Sequence, residues 1–316
     1  MIEFQAKHLL TGEELTPLEI AALMKAALTL KQERKTNRND SGALGGAPLS
    51  GKQLAMLLDK PSLRTRFSFT VAVSELGGFT IESVASTRKQ EEPEDLARVL
   101  SGYCHGIMIR THDDVYVQRM ASAASVPVIN GLSQLHHPCQ IFADLMTLKE
   151  NFGDLKGLTL SYVGDGNNIL HSLLLLAPAV GVNIRYACPK DYQPDSLILK
   201  MARGRALECG GKITKCATPV EAVSQAHAVY TDVWTSMGFE SEKKERDEAF
   251  AGYQVNEELM THADKSAVVM HCLPMVRGKE ISKTLPDQKN SVIFQQSENR
   301  LHVQKALLMG LLAKKK

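Results

Sequence analysis

Leu158-Thr159-Leu160-Ser161-Tyr162-Val163-Gly164-Asp165-Gly166-Asn167-Asn168 contains an apolar run of strand length, a glycine turn, and two residues suited to starting a helix. The apolar stretch that follows, Ile169 to Val182, carries His171 and Ser172 and falls short of the roughly 20 residues that cross a bilayer. It reads as a buried helix. A strand that feeds a buried helix through a tight turn is one βα unit of a parallel sheet.

The same alternation extends in both directions. Towards the C-terminus, strand-like Asn183–Ala187, Lys212–Cys216, Ala228–Val233 and Ser266–His271 are separated mostly by helical patterns. Towards the N-terminus lie strand-like Gln53–Asp59, Phe79–Val84, Gly106–Arg110 and Val126–Asn130. Helix-like Leu63–Leu76, closed by Gly77-Gly78, and Pro93–Tyr103 fall between them. A helical stretch, Pro138 to Asn151, links the two series. Upstream, Thr16-Pro17-Leu18-Glu19 forms a capping box, after which Ile20, Leu23, Met24, Ala27 and Leu28 recur at helical spacing. Asn37 to Gly51 is a loop, and the helical pattern Leu301–Leu312 could pack on either domain. The fold expected is α/β: two doubly wound parallel-sheet domains joined by helices. In such sheets ligands bind beyond the carboxyl ends of the strands.

Composition narrows the function classes. The 316 residues carry 37 Lys+Arg against 35 Asp+Glu, a net charge of +2, which argues against a polybasic nucleic-acid binder. The six cysteines show no CxxC pair and no framework spacing, so reduced thiols in a cytoplasmic protein are expected. Met1 leads without a secretory pattern into the first helix, and no membrane association is expected.

Five constellations sit at strand ends. Ser62-Leu63-Arg64-Thr65-Arg66 adds hydroxyls and guanidiniums to a helix start, the chemistry an anion such as phosphate needs, and it lacks the GxxxxGK[ST] loop pattern. Gly164-Asp165-Gly166-Asn167-Asn168 is an incomplete dinucleotide fingerprint, with Ile169 where a third glycine belongs; its amides suit a small carboxylate or a plain helix cap. His136-His137-Pro138-Cys139-Gln140 opens the linking helix, and no second cluster at ligand spacing supports a metal there. Asp232-Val233-Trp234-Thr235-Ser236-Met237-Gly238 offers a carboxylate to an amine cation. The polar run Glu240–Glu248 beyond it reads as a mobile surface loop. In His271-Cys272-Leu273-Pro274, Cys272 is a nucleophile, a polar contact or a buried thiol.

In this order, SLRTR, HHPCQ, GDGNN, DVWTSMG, HCLP and the terminal ENR resemble the aspartate/ornithine carbamoyltransferase family along nearly the whole chain, and DVWTSMG and HCLP resemble its ornithine branch. The resemblance implies an enzyme that uses carbamoyl phosphate and L-ornithine to make L-citrulline and phosphate, in either direction, without metal or organic cofactor. It implies a carbamoyl-phosphate domain over residues 1–137 and an ornithine domain over 138–299. The C-terminal helix 300–316 would return to the first domain. The active site would occupy the interdomain cleft of a subunit in a homotrimer or a multiple of one.

By matching positions, Ser62, Leu63 through its backbone, Arg64 and Thr65 would hold the phosphate. Arg110 would reach the phosphate and the carbonyl oxygen, and His137 would polarise that oxygen. Gln140 and the backbone carbonyls of Cys272 and Leu273 would orient the carbamoyl NH2, and Arg300 would complete the site. Asn168 would take the ornithine carboxylate, and Asp232, Ser236 and Met237 the α-amino end, with Cys272 beside Asp232 placing the δ-amine. Two departures stand out. Leu63 replaces the hydroxyl residue of the common STRT element, and Ser86–Glu92, where a neighbouring subunit usually contributes, has no His and carries Gln only at position 90. A nicotinamide-dependent dehydrogenase, a transferase acting on putrescine or an acylated ornithine, and a noncatalytic binding protein are the competing readings.

Overall fold

The computed structural model describes residues 2–36, 47–59, 62–84, 91–235 and 240–313. Ser236, Met237 and most of the Ser86–Glu92 segment, which figure among the expected contacts, lie outside the described residues. The chain forms two compact units, Met1–Met146 with Glu298–Lys316, and Thr147–Ser297.

The first unit begins with helix α1 (Pro17–Thr36), whose capping box is realised: Thr16 Oγ1 donates to Glu19 at 2.8 Å and accepts from the Glu19 N–H at 3.2 Å. Then follow β1 (Gln53–Leu58), α2 (Leu63–Glu75), β2 (Phe79–Val84), α3 (Pro93–Tyr103), β3 (Gly106–Arg110), α4 (Asp114–Ala123) and β4 (Val128–Leu132). All strand pairs are parallel, in the order β2-β1-β3-β4. Strand β4 starts two residues later than its hydrophobicity implies, because Pro127 has no N–H to give the ladder and its carbonyl serves Ile107 instead. Ala55, Leu57, Ile107, Ile109 and Val128 from the strands pack with Ala97, Val117 and Met120 from α3 and α4 as one buried cluster.

Helix α5 (Pro138–Phe152) carries the chain out of this unit, so the unit boundary at Met146/Thr147 lies inside the helix that begins at 138. The second unit runs through β5 (Thr159–Val163), α6 (Asn168–Leu176), β6 (Asn183–Ala187), α7 (Ser196–Cys209), β7 (Ile213–Lys215), α8 (Pro219–Val223) and β8 (Ala228–Thr231). It continues with α9 (Lys243–Ala249), α10 (Glu257–Met260) and β9 (Val268–His271). Its sheet is parallel, in the order β7-β6-β5-β8-β9, so β5 is central and the strand order reverses beside it. Ile169 to Leu176 are all buried on α6, as the apolar stretch required. Burial of each leucine there contributes about 2 kcal/mol relative to exposure.

Two expectations are corrected. The C-terminal helix starts at Ile293, not Leu301, and re-enters the first unit as α11 (Ile293–Leu312). Its first turns hid their helical period behind Gln295, Gln296, Glu298, Asn299 and Arg300. Specific partners accommodate polar side chains on this helix: Lys31 of α1 donates to Asn299 at 2.7 Å, and further along the fully buried Lys305 pairs with Glu75 of α2. The charged run Glu240–Glu248 is not a loop either, although most of its described side chains are exposed. It contains a short 3-10 turn, Glu240–Glu242, followed by α9, and Arg246 in its middle is buried.

Candidate active site

In the first unit the polar residues gather at the carboxyl ends of β1, β3 and β4. Ser62 is the N-cap of α2 in an extended conformation, yet its hydroxyl makes no bond to the helix's own N–H groups. The first turn therefore keeps its N–H donors and its partial positive charge for another acceptor. Leu63 exposes its side chain, which leaves only its backbone for that acceptor. Thr65, one turn in, is buried and acts as a hub: its Oγ1 accepts from Arg300 Nη2 at 2.7 Å and from Arg110 Nη1 at 3.3 Å. Arg110 ends β3, and its carbonyl accepts from the Asp59 N–H at 3.0 Å, tying the tips of β1 and β3 together.

The guanidiniums of Arg64, Arg110 and Arg300 share this corner. Burial first, then the neighbouring charges of Arg300 and Arg64, bring Arg110 down to about 10, so it remains a cation at neutral pH. Arg110 Nε is buried with no hydrogen-bond partner among the described residues. Guanidiniums gathered in this way suit an anion.

His137, at the entrance of α5, is buried against the same charges. Desolvation, then Arg300, Arg110 and Arg64, hold its imidazole well below the usual histidine range, which makes it neutral. The turn that delivers it is braced by Ser133, whose Oγ donates to Asp114 at 2.5 Å and accepts from Asn130 Nδ2 at 2.9 Å. Cys139 is a buried thiol pushed up to about 12 by burial, and its Sγ donates to the Asn130 carbonyl at 3.5 Å. Gln140 is fully buried and donates through Nε2 to Asp144 at 2.8 Å.

In the second unit the glycine turn after β5 has a packing reason. A Cβ on Gly166 would lie 2.3 Å from the backbone of Gln193 and Pro194, so that position excludes any side chain. Asn167, not Asn168, is the N-cap of α6: its Oδ1 accepts from the N–H groups of Ile169 and Leu170, while its Nδ2 donates to Asp232 at 2.8 Å. Asn168 is the first residue of α6 and half-buried.

Asp232, just past β8, is buried. It accepts from Cys272 Sγ at 3.0 Å and from the Val233 N–H at 2.8 Å. Among the described residues no cationic side chain pairs with it, so a buried carboxylate faces only neutral donors. That arrangement complements a ligand cation. Beyond β9, Leu273 takes a left-handed φ of 60° before a cis bond to Pro274, and its N–H donates to His271 Nδ1 at 2.9 Å. Asp232, His271 and Cys272 bring potential metal-ligand atoms within 4.8 Å of one another. Both His271 nitrogens are already engaged, Nδ1 by Leu273 and Nε2 by Glu280 at 3.2 Å, so metal binding there would break existing contacts.

The expected carbamoyl-phosphate residues thus divide: Ser62, Leu63, Arg64, Thr65, Arg110, His137, Gln140 and Arg300 lie in the first unit, and Cys272 and Leu273 lie in the second with Asn168 and Asp232. Sequence reasoning missed Arg246. Its guanidinium donates to Asp165 at 2.8 Å, to the Trp234 carbonyl at 3.0 Å and to Glu242 at 2.9 Å, and lies 4.7 Å over the Tyr192 ring. It fastens α9 to the turns that bear Asn167 and Asp232. An arginine inside a highly charged run gave no signal of burial.

The comparisons agree along the whole chain. A family profile described as aspartate/ornithine carbamoyltransferase, carbamoyl-P binding domain, matches residues 7–150, and its companion, the Asp/Orn binding domain, matches residues 156–311. An ornithine carbamoyltransferase of Pyrococcus abyssi is 43% identical over 99% of this chain and 98% of its own, and one of Anoxybacillus flavithermus is 44% identical over 98% of each. The solved structure titled ornithine carbamoyltransferase from Pyrococcus furiosus covers 100% of both chains at 42% identity, with a TM-score of 0.94. The chain belongs to the aspartate/ornithine carbamoyltransferase family.

Proposed function

We propose that this enzyme transfers the carbamoyl group of carbamoyl phosphate to the δ-amine of L-ornithine, giving L-citrulline and phosphate, with the equilibrium open in either direction. One observation carries the site assignment: the Thr65 hydroxyl accepts from both Arg110 and Arg300 at the start of α2, a preformed cradle for a dianion. Ser62, the Leu63 backbone, Arg64 and Thr65 hold the phosphate there. Arg110 and neutral His137 donate to the carbonyl oxygen as charge grows on it, and Gln140 with the Cys272 and Leu273 carbonyls receives the carbamoyl NH2.

On the acceptor side, Asn168 takes the carboxylate, and Asp232 with Ser236 and Met237 takes the α-ammonium; Cys272 sets the neutral δ-amine on its path. The amine attacks the carbonyl carbon, the tetrahedral centre collapses with loss of a proton from nitrogen, and the C–O bond to phosphate breaks. Orientation and fixed charge supply the acceleration, and no covalent enzyme intermediate is needed. The unneutralised Asp232 favours free ornithine over an Nα-acylated one, whose amide bears no cation.

A homotrimer is the assembly this reading favours. Phe79 and Ile81 are exposed large apolar side chains two residues apart on edge strand β2 of the first unit, and a second copy would cover them. No helix among the described residues is long and apolar enough to cross a membrane. Arg64→Ala tests the phosphate cradle: turnover falls with weaker carbamoyl-phosphate binding, and unchanged turnover refutes the assignment. Sedimentation at three times the 34.7 kDa chain mass supports the trimer, and a monomer at working concentration refutes it.

A further inference from the structure

Gln140 and Asp144 stand one turn apart on α5, both fully buried. Gln140 Nε2 donates to Asp144 Oδ1 at 2.8 Å, while Gln140 Oε1, equally buried, has no hydrogen-bond partner among the described residues. A primary amide is a donor at one end and an acceptor at the other, whereas a carboxylate only accepts. Reversing the Gln140 amide would set its oxygen against the Asp144 carboxylate, two acceptors in contact inside the protein. An ionised Asp144 therefore leaves the amide one orientation, with the acceptor end unsatisfied.

That unsatisfied acceptor belongs to the same helix start as His137, whose carbonyl accepts from the Gln140 N–H at 3.1 Å. A buried acceptor with no partner is costly until a ligand donates to it. We propose that Asp144 is a positioning residue for acyl-group selectivity: by locking the Gln140 amide, it makes the site accept a phosphate-bearing acyl group that ends in NH2 and reject the isosteric group that ends in CH3. The inference rests on the carbamoyl-phosphate reading above. It adds the residue that distinguishes a carbamoyl from an acetyl group and the way it does so, by denying the amide its other orientation.

Two probes isolate this effect: phosphonoacetamide, which carries the NH2, and acetonylphosphonate, which carries a methyl in its place. Each is measured as a competitive inhibitor against carbamoyl phosphate, with inorganic phosphate as the control for the phosphate cradle. On the unaltered enzyme phosphonoacetamide binds more tightly by about tenfold or more, the discrimination one unmatched buried hydrogen bond supplies. In Asp144→Asn the neighbour can donate as well as accept, the amide is free to reverse, and the ratio of the two inhibition constants falls towards unity while inhibition by phosphate changes little. Asp144→Ser, whose hydroxyl also plays either part, gives the same fall and serves if the Asn variant does not fold. In a Gln140→Leu background Asp144→Asn leaves the ratio unaltered. A ratio preserved in both Asp144 variants, or equal weakening of both probes and of phosphate, overturns the proposal and leaves Asp144 a merely structural residue. If neither probe competes on the unaltered enzyme, the carbamoyl-phosphate reading falls as well.

Discussion

Replacing Thr65 by valine keeps nearly the same shape and removes one oxygen, which makes it the sharpest perturbation of the phosphate corner. That oxygen accepts from Arg300 at 2.7 Å and from Arg110 at 3.3 Å, in a position sealed from solvent. A hydrogen bond to a charged group contributes about 1.5–3 kcal/mol, and the longer contact contributes less. The variant thus loses about 2–4 kcal/mol of the interactions that orient the two guanidiniums, before counting the contact with phosphate proposed for the hydroxyl. At 1.4 kcal/mol per factor of ten, kcat/KM for carbamoyl phosphate falls roughly 30- to 700-fold. The assay is citrulline formation at saturating ornithine with carbamoyl phosphate varied. Inhibition by inorganic phosphate is measured in parallel, and thermal unfolding confirms that the variant is folded. Phosphate inhibition weakens with kcat/KM, because both depend on the same cradle. A folded Thr65→Val enzyme within threefold of the unaltered kcat/KM, or one whose defect lies in the KM for ornithine alone, refutes the hub role.

Three further outcomes follow from the described contacts. Arg246→Met leaves Asp165 buried without its cation, so stability drops by about 3–5 kcal/mol in urea unfolding and the KM for ornithine rises while inhibition by inorganic phosphate holds; an unchanged ornithine KM removes Arg246 from the support of the acceptor residues. Burial raises Asp165 to about 6 against the opposing pull of Arg246, so the folded protein binds that proton more tightly than the unfolded chain does. As the pH falls from about 6 towards about 4, this group therefore adds to folding stability while its ion pair with Arg246 is lost and ornithine binding weakens; Asp165→Asn abolishes both trends. Because His137 is held neutral, pH profiles of kcat/KM for carbamoyl phosphate show no imidazole limb between about 6 and 7; a limb there that disappears in His137→Gln contradicts the assignment.

The sheet series was legible because a parallel strand buried on both faces announces itself as an apolar run: β5 and α6 were plain from Leu158 to Leu176. The helix starts that bear Ser62, Arg64 and Asn168 were legible because they combine turn residues with hydrogen-bonding side chains in a few positions. What the sequence concealed is burial of polar groups through partners far away in the chain. Asn299 and Lys305 look like surface residues until Lys31 and Glu75 are seen to meet them. Arg246 looks solvated until Asp165, at the end of a strand about eighty residues earlier, closes on it. Gly166 read as half of a cofactor fingerprint, whereas its lack of a side chain answers the approach of Gln193 and Pro194. Asn167 and Asn168 were interchangeable on paper, and only the cap geometry separated them.

Carbon-labelled carbamoyl phosphate offered with ornithine, and in parallel with putrescine and with Nα-acetylornithine, tests the acceptor and the reaction together. The expected result is labelled citrulline from ornithine with one phosphate released per citrulline formed, and far poorer use of the other two amines, as the proposed pairing of Asp232 with an α-ammonium requires. Folded protein that yields no labelled citrulline, or that prefers the acylated amine, would contradict both the reaction and the role of Asp232.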